Sequence, residues 1–369
     1  MVGAGPAGST AAYHLASAGA GVLLLERQRF PRDKPCGGGV TIRAARQLPF
    51  SLDPVVEDVV DRVELWLGFQ NAQERVSGMP LVLMTQRCRL DAYLAERAVA
   101  AGATFRDGSR VTAVAVDSGG VTVQLSAERI RAVALVGADG VNGIVARSLG
   151  LCSDPEHGVG LEGNLPFSET TPERYRNRIV FHVGTVPGGY GWAFPKGEHV
   201  NVGVGGRPAE APYLRAHLAR LCQQHGTTLA RLTGVRGYRL PVARPGAALA
   251  RGRALVCGDA AGLVDPLSGD GIYEAVVSGA YAAEAVGELL SGCSDGLESY
   301  EQRLRGRFGR SMACSWAARR ALDRFPAFMF HAARLEVVQR TLERFARGDD
   351  QPFLVRRVGG PLLRLASGR

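Results

Sequence analysis

The first eight residues of the chain restrict its fold more than any other stretch. They contain Gly3, Gly5 and Gly8 in the spacing G-x-G-x-x-G, and small apolar residues follow at helical spacing. Residues 22–25 form a short apolar run of the kind that makes a buried strand, and Glu26 comes directly after it. Turn, helix, strand and acid in this order are typical of a dinucleotide-binding unit. We therefore predict an α/β protein, α+β overall, with a Rossmann-type domain.

The glycines of this turn have separate physical roles. Gly3 permits the tight turn, Gly5 lets the backbone approach a pyrophosphate, and Gly8 lets the helix pack closely on the strand. The phosphates would meet the helix N-terminus, where free N–H groups and the helix dipole favour an anion. Glu26 lies 18 residues after Gly8, where a carboxylate accepts hydrogen bonds from a ribose and repels a 2′-phosphate. A glycine-rich loop without a ligand is the alternative, and the presence of Glu26 at the expected position after the strand argues against it.

The strand that should precede this turn is unusually short. Only Met1 and Val2 come before Gly3, whereas a strand averages about five residues. We therefore expect that a few residues are missing from this end, through a misplaced start or a truncation. A chain extended upstream that gained neither stability nor cofactor retention would contradict this expectation.

The composition excludes several classes of protein. No apolar run reaches 18 residues, so we predict no transmembrane helix. The seven cysteines are odd in number and form no C-x-x-C pair, which favours reduced thiols and a cytoplasmic location over disulfides or a metal site. At 369 residues the chain is long enough for two or three domains.

The net charge of +9 is concentrated at the C-terminal end. Residues 301–369 hold 15 arginines against six acidic residues, which leaves the same excess of +9, so the rest of the chain is balanced. These arginines alternate with Leu, Phe and Ala rather than with stacking aromatic residues. We therefore expect an anionic membrane surface rather than nucleic acid as a partner, and a peripheral position on the cytoplasmic face of the membrane. A solvated helical face without a partner is the open alternative.

Three stretches add to the nucleotide-binding pattern. Arg87 stands at a strand-to-helix junction, where it is placed to pair with a phosphate. Residues 137–140 (G-A-D-G) follow a buried strand, and residues 258–262 (G-D-A-A-G) follow another and precede a long helix. A second glycine-rich turn before a helix suits a second contact with an extended anionic cofactor, and Asp259 is placed to hold its hydroxyl groups.

Two other stretches carry candidate chemistry. Residues 34–39 read K-P-C-G-G-G, and three successive glycines allow positive φ and close approach to a flat ligand. Cys36 lies where such a loop would reach the ligand, although an ordinary loop cysteine is the simpler interpretation. On the predicted strand 188–196, three aromatic side chains share one face, Tyr190, Trp192 and Phe194. They either wall an apolar pocket or belong to the core, and spacing alone favours the core.

These motifs together resemble a known family. GAGPAG with Glu26, the junction at residues 87–91, GADG and GDAAG resemble the FAD-binding motifs of the p-hydroxybenzoate-hydroxylase-like flavoprotein superfamily. KPCGGG, YGWAFPK at residues 190–196 with NVGVG at 201–205, and GDAAGLVDPLSGDGIYEA at 258–275 resemble the geranylgeranyl reductase family. The resemblance covers residues 1 to about 290, and the basic C-terminal region matches no motif of the family.

The resemblance implies a set of FAD-contacting residues. By this likeness the ADP half would be held by Gly3, Gly5, Gly8 and Glu26, the diphosphate side by Arg87, and the ribityl side by Asp259. The isoalloxazine would be lined by Cys36, Gly37, Gly39, Gly271 and Ile272. The remaining members of the predicted cofactor-binding set are Ala7, Arg27, Val111 and Gly269. The same likeness would turn Tyr190, Trp192 and Phe194 towards a prenyl chain.

The resemblance also implies a domain organisation. A discontinuous FAD-binding domain would comprise residues 1–60, 81–157 and 250–290. A β-sheet substrate domain would comprise residues 61–80 and 158–249. A basic helical C-terminal region would follow at residues 291–369.

The activity implied by the resemblance is reduction of isolated double bonds in the isoprenoid chain of a prenyl lipid, such as a menaquinone tail or a geranylgeranyl group. An isolated alkene is a poor hydride acceptor, so hydride from N5 of the reduced flavin must be coupled to protonation of the other carbon. Cys36 or a flavin-bound proton would supply that hydrogen. Since one Rossmann fingerprint is visible, the reductant is either transiently bound NAD(P)H or a ferredoxin-like carrier protein.

Two alternatives from other classes remain open at this point. The first is an FAD-dependent aromatic monooxygenase, because the superfamily shares the FAD motifs and a fold does not fix a function. The second is a flavin- or lipid-binding protein of the membrane surface, which the basic C-terminal region suggests.

Overall fold

The computed structural model describes residues 1–152, 156–242 and 246–349. Its backbone divides into two compact units. Unit 1 comprises Met1–Asp33, Cys88–Glu156 and Pro241–Met312, and unit 2 comprises Lys34–Arg87, His157–Leu240 and the chain from Ala313 onward. The functional boundaries predicted above stay a prediction, because backbone compactness does not say which residues hold which ligand.

The described residues form helices and strands throughout. In chain order these are α1 (Pro6–Ser17), β1 (Leu23–Leu25), β2 (Gly39–Thr41), α2 (Ile42–Ala45), β3 (Asp58–Val60), β4 (Arg62–Leu67), β5 (Asn71–Val76), β6 (Val82–Met84), α3 (Arg87–Ala100), β7 (Thr104–Arg106), β8 (Val111–Asp117), β9 (Gly120–Leu125), β10 (Arg129–Ala132), β11 (Leu135–Gly137), α4 (Val145–Leu149), β12 (Glu156–Pro166), β13 (Arg178–Val183), β14 (Tyr190–Lys196), β15 (His199–Gly206), α5 (Leu214–Gln224), β16 (Thr233–Val242), β17 (Ala250–Arg251), β18 (Ala254–Val256), α6 (Ile272–Leu290), α7 (Glu298–Arg324), α8 (Pro326–Ala332) and α9 (Glu336–Arg347). None of these helices has the length and apolar character needed to cross a bilayer.

Unit 1 is built around a parallel sheet. β1 pairs with β7 and β11 pairs with β18, both in parallel. Val2 joins the two pairs because it bridges in parallel to Leu25 on one side and to Gly137 on the other. A strand between two parallel neighbours, followed by a glycine turn and a helix, is the arrangement expected of a Rossmann-type unit. The predicted α/β fold is confirmed.

Small residues let α6 approach α1 closely in unit 1. A Cβ atom on Gly279 of α6 would lie 2.3 Å from the carbonyl oxygen of Ala7 in α1. No side chain larger than hydrogen fits at that contact, so α6 packs directly against the backbone at the start of α1. Unit 1 also contains β17, which pairs antiparallel with β18, and the antiparallel ribbon of β8, β9 and β10.

Unit 2 contains a seven-stranded sheet in the order β16, β12, β15, β14, β13, β4, β5. One face is apolar and packs on α5, where Leu214, Leu218 and Leu221 join a core with the inward residues of β13, β14 and β15. Side chains alternate along a strand, so Trp192 faces away from that core while its neighbour Ala193 faces into it. The sheet therefore has one core face and one face that carries the aromatic side chains of β14.

A buried chain of hydrogen bonds crosses the interior of unit 2. The Tyr175 hydroxyl lies 3.0 Å from His225 Nδ1, and His225 Nε2 lies 3.1 Å from His182 Nε2. Burial lowers the pKa of both histidines, that of His225 to about 3. Both rings are therefore neutral near pH 7 and serve each other as partners, so we assign them a structural role.

The predicted C-terminal helices are present as α7, α8 and α9. The end of the predicted basic region, residues 350–369, lies outside the described residues. Within the described part, the arginines of this region make both ion pairs and ring contacts, as between Arg347 and Asp349 at 3.0 Å and between Arg334 and the Phe330 ring centre at 5.3 Å.

Candidate functional site

The glycine turn at the start of unit 1 is held by backbone contacts that leave no room for side chains. Gly3 has φ of +97°, and a Cβ atom there would lie 2.3 Å from the Ala138 carbonyl oxygen. A Cβ atom on Gly8 would lie 1.9 Å from the Gly3 carbonyl oxygen. The predicted reasons for glycine at these two positions, a tight turn and close packing, are thus visible in the geometry.

The same turn presents the N-terminus of α1. Gly5 is the extended residue before the helix, and Pro6 occupies its first position. Proline has no N–H to satisfy there, and the next residues, beginning with Ala7, provide the helix N–H groups that lack an intrahelical acceptor. Among the described residues, no side-chain hydrogen bond caps this end of the helix. An anion of the size of a diphosphate is the ligand for which this arrangement is suited.

Glu26 lies beside this turn, at the end of β1. Its side chain is buried, Oε2 accepts a hydrogen bond from the Ala4 amide at 3.1 Å, and Oε1 accepts one from the Gln28 amide at 3.1 Å. A carboxylate has about four lone-pair positions, so it retains capacity for ribose hydroxyl donors. The backbone of the glycine turn and the acid are therefore one hydrogen-bonded unit, as the predicted ribose contact requires.

The acid of the GADG stretch has a local task that the sequence did not reveal. Asp139 Oδ2 accepts hydrogen bonds from the amides of Ile144 and Val145, at 2.6 and 3.1 Å, at the start of α4. Burial raises the pKa of this carboxyl, and the Arg27 guanidinium partly opposes that shift. Arg27 itself is exposed. Asp139 therefore stabilises the N-terminus of α4. Its carboxyl also interacts electrostatically with Arg27, one of the predicted cofactor-binding residues.

The second glycine-rich stretch of unit 1 forms a short 3-10 helix, Gly258–Ala261, and then a compact loop. In that loop Asp265 Oδ1 accepts the amides of Leu267 and Ser268, and Asp270 Oδ1 accepts the Ile272 amide at 3.0 Å. Side-chain acceptors thus already serve the start of α6. The backbone of this loop and the start of α6 are the groups predicted to contact the cofactor, and that contact stays a prediction.

Apart from Val111, the remaining predicted cofactor-binding residues of unit 1 belong to this stretch of the chain. Asp259 is half-buried, and a Cβ atom on Gly271 would lie 3.5 Å from its Oδ1 atom. Gly269 has φ of +68°, and Ile272 is buried at the start of α6. Val111 is buried at the start of β8. Their role toward FAD stays a prediction.

Unit 2 holds the cysteine loop against its sheet. The Cys36 amide donates to Glu162 Oε1 at 2.8 Å, and the Cys36 carbonyl accepts from Lys196 Nζ at 2.8 Å. The Gly38 amide donates to Cys36 Sγ at 3.4 Å. The peptide groups of Cys36 are therefore fixed on both sides by side chains that are themselves buried.

The aromatic side chains of β14 lie under this loop. A Cβ atom on Gly37 would lie 2.7 Å from the Phe194 ring and 3.8 Å from Trp192 Nε1. Tyr190, Trp192 and Phe194 form successive ring contacts, with centroids 6.1 and 6.5 Å apart. Because these rings lie on the face opposite α5, they belong to the surface that carries Cys36 and not to the α5 core.

Two further predicted residues of unit 2 are Gly39 and Arg87. Gly39 begins β2 and pairs with Met84. Arg87 is buried at the start of α3. Their contacts with a cofactor stay predictions, as does the role of every residue in the predicted set.

Two residues of this arrangement were not among the predicted site residues. Glu162 is 1% exposed in the middle of β12, and Lys196 is 6% exposed at the end of β14. Lys34 and Lys196 are the only lysines in the chain, which could have marked Lys196. Nothing in the local sequence of β12 marks Glu162.

The comparisons with known proteins agree with this geometry. Residues 1–314 match the FAD binding domain family. The chain is 30% identical to menaquinone reductase of Mycobacterium tuberculosis, across 100% of this chain and 97% of that protein. The chain belongs to the geranylgeranyl reductase family of FAD-binding proteins.

Two further relatives extend the comparison. Chloroplastic geranylgeranyl diphosphate reductase of Oryza sativa is 30% identical, across 98% of this chain and 82% of that protein. The crystal structure of a geranylgeranyl bacteriochlorophyll reductase-like protein from Thermoplasma acidophilum superposes with a TM-score of 0.83 over 98% of both chains, at 24% identity. This structural likeness establishes the fold. Family membership and the uncapped glycine turn both fit FAD as the cofactor.

Proposed function

We propose that this protein is an FAD-dependent reductase that saturates isolated double bonds in the isoprenoid chain of a prenyl lipid. The observation that carries the proposal is the Cys36 loop, which lies against Phe194 and Trp192 of β14 and is fixed there by Glu162 and Lys196. An apolar aromatic surface suits a hydrocarbon chain, and the Cys36 thiol of the adjoining loop is a proton donor. The names of the relatives, which include menaquinone reductase and geranylgeranyl diphosphate reductase, support the same class.

The chain's own residues divide the work of this reaction. FAD, when bound in its reduced form, supplies the hydride chemistry. The turn at Gly3, Gly5 and Gly8 binds its diphosphate, and Glu26 accepts from its ribose. Tyr190, Trp192 and Phe194 bind and orient the prenyl chain and exclude water from it.

Cys36 supplies the second hydrogen. A cysteine thiol carries its proton near neutral pH and therefore acts as an acid. Transfer of that proton to one alkene carbon and of hydride to the other breaks the C=C π bond and forms two C–H bonds, and the thiolate that remains takes a proton from solvent. The reductant that restores the flavin is NAD(P)H or an acidic carrier protein, for which the +9 net charge is favourable.

An anaerobic turnover experiment tests the function. The purified flavoprotein is reduced with dithionite, mixed with menaquinone or geranylgeranyl diphosphate, and the lipid is analysed by mass spectrometry. We expect products heavier by whole units of H2, without oxygen. If both lipids keep their mass although the bound flavin is reducible, and a hydroxylated product forms only in air with an aromatic substrate, the protein is a monooxygenase and the proposal is wrong.

A surface for an anionic membrane is the second part of the proposal. α8 and the residues around it expose four large apolar side chains within 13 residues: Phe325, Phe328, Leu335 and Val337. Arginines accompany them, and the guanidinium of Arg324 lies 6.0 Å from the Phe325 ring centre. Exposed apolar groups bordered by cations match the two layers of an anionic bilayer surface, acyl chains and headgroups.

Removal of two of these rings should weaken membrane binding. Phe328 is 70% exposed, and transfer of a phenylalanine from water to an apolar phase is worth about 2 kcal/mol. We expect the pair of changes Phe325→Ser and Phe328→Ser to reduce binding to phosphatidylglycerol vesicles at least tenfold in a flotation assay. Tyr213→Ser is the matched control, because that ring is 60% exposed before α5. Equal flotation of all three proteins would exclude this surface.

A further inference from the structure

The buried carboxyl of Glu162 is the group of unit 2 that calls for an explanation. It lies opposite Gly203 of β15 in the sheet register, and Gly203 lies opposite Trp192 of β14. Directly opposed residues share a face, so Glu162 belongs to the same face as the aromatic side chains. A buried acid is costly unless it has partners, and this one uses Oε1 to accept the Cys36 amide.

Glycines open the space between Glu162 and the rings. A Cβ atom on Gly203 would lie 2.1 Å from the Trp192 ring, and one on Gly160 would lie 2.7 Å from the Tyr238 ring. The Trp192 ring therefore occupies the space that a side chain at Gly203 would fill, and the Tyr238 ring occupies the space that a side chain at Gly160 would fill. The acid, the two rings and the Cys36 loop occupy one continuous part of the sheet face.

The charged groups around Glu162 come from several elements. Burial raises the pKa of Glu162, while Lys196 of β14 and Arg236 of β16 oppose that shift. Tyr238 of β16 also faces it, and burial together with Glu162 and Cys36 raises the pKa of that phenol. Glu162 is thus the acidic residue in a group that also contains Lys196, Arg236 and Tyr238. Within this group, Glu162 and Lys196 bond to the backbone of Cys36.

We propose that Glu162 is the positioning residue of Cys36: with Lys196 it clamps the N–H and C=O groups of Cys36, and so fixes the thiol above the aromatic face. This proposal rests on the proposed function, since it assigns Glu162 to the proton-donating step of that reaction. Glu162 acts through Cys36 and does not touch the alkene. A misplacement of about 1 Å in a reacting group costs on the order of 100-fold in rate.

The test compares two substitutions by two independent readouts. Glu162→Ala removes the acceptor for the Cys36 amide, whereas Glu162→Gln keeps an oxygen acceptor and removes the ionisable group. We expect kcat for prenyl reduction to fall about 100-fold in the alanine variant with KM within about threefold. The glutamine variant should retain kcat within about fivefold. Glu64→Gln, another carboxyl change in the same sheet, is the control.

Thiol labelling gives the second readout and needs no prenyl substrate. In the FAD-loaded protein, iodoacetamide labelling of Cys36 is measured by peptide mass spectrometry relative to the exposed Cys293, between about pH 5 and 7, where thiols are largely protonated. The native protein and the glutamine variant should give the same ratio at each pH, because both keep an oxygen acceptor for the Cys36 amide. The alanine variant should differ from the glutamine variant at least fivefold.

The outcomes separate this inference from the proposed function. If no prenyl lipid is reduced but the labelling ratio depends on Glu162 as described, the clamp stands and the proposed function fails. If the folded alanine variant labels and turns over like the native protein, the clamp is wrong. If the glutamine variant loses as much kcat as the alanine variant, a proton on Glu162 is required, and a purely positioning role is wrong.

Discussion

Replacement of Cys36 by alanine should leave FAD bound and remove most prenyl reduction. The loop is held through the Cys36 backbone, by Glu162 at the amide and Lys196 at the carbonyl, so removal of the Sγ atom keeps those two contacts. General acid catalysis contributes on the order of 10² to 10⁴ in rate. We therefore expect kcat to fall at least 100-fold in the anaerobic assay, while the flavin absorbance per protein stays within about 20% of the native value.

Two controls make this result specific to the thiol. Cys293→Ala changes an exposed cysteine of unit 1 and should leave turnover unchanged. Cys36→Ser retains a hydroxyl, which is a much weaker acid than a thiol, and should resemble the alanine variant. Native turnover in Cys36→Ala, at native flavin content, would remove Cys36 from the mechanism and transfer the proton-donating role to the flavin or to water.

The sequence predicted those features that depend on local geometry. The glycine turn, α1 and β1 occur where the G-x-G-x-x-G spacing and the apolar run place them, because glycine at positive φ and helical periodicity are properties of a few neighbouring residues. The shared face of Tyr190, Trp192 and Phe194 also follows from strand alternation alone. Which of the two sheet faces is the core was not predictable, because that choice depends on α5, a helix that follows later in the chain.

Contacts between residues that are far apart in the chain were not predictable from the sequence. Glu162 lies 126 residues from Cys36 along the chain, and no local pattern in β12 distinguishes an acid that faces a loop from one that faces solvent. The short strands β2 and β3 were missed for the same reason, since each has three residues and exists through its pairing with β6. The hydrogen bond from the Ile272 amide to Asp270 Oδ1 at the start of α6 was also not predicted.

The second large effect is expected at Gly8. A methyl group there would lie 1.9 Å from the Gly3 carbonyl oxygen and 3.0 Å from the Ala138 side chain. The nearest contact is with backbone in the turn itself, so the overlap is relieved only if α1 moves away from β1 or the turn opens. Overpacking of this kind costs about 1 to 3 kcal/mol in well-packed interiors. In this position it would also displace the helix N-terminus from the diphosphate.

Gly8→Ala should therefore be purified without FAD and should unfold at lower temperature than the native protein. Gly21→Ala is the matched control, because it also adds one methyl group in unit 1 and its Cβ atom would have no neighbour within 4 Å. The control should keep both FAD and thermal stability. Addition of free FAD at high concentration distinguishes the two causes: partial recovery of flavin absorbance indicates a weakened site in a folded unit, and no recovery indicates loss of the fold. An alanine variant that keeps native flavin content would show that the turn is not where the diphosphate binds.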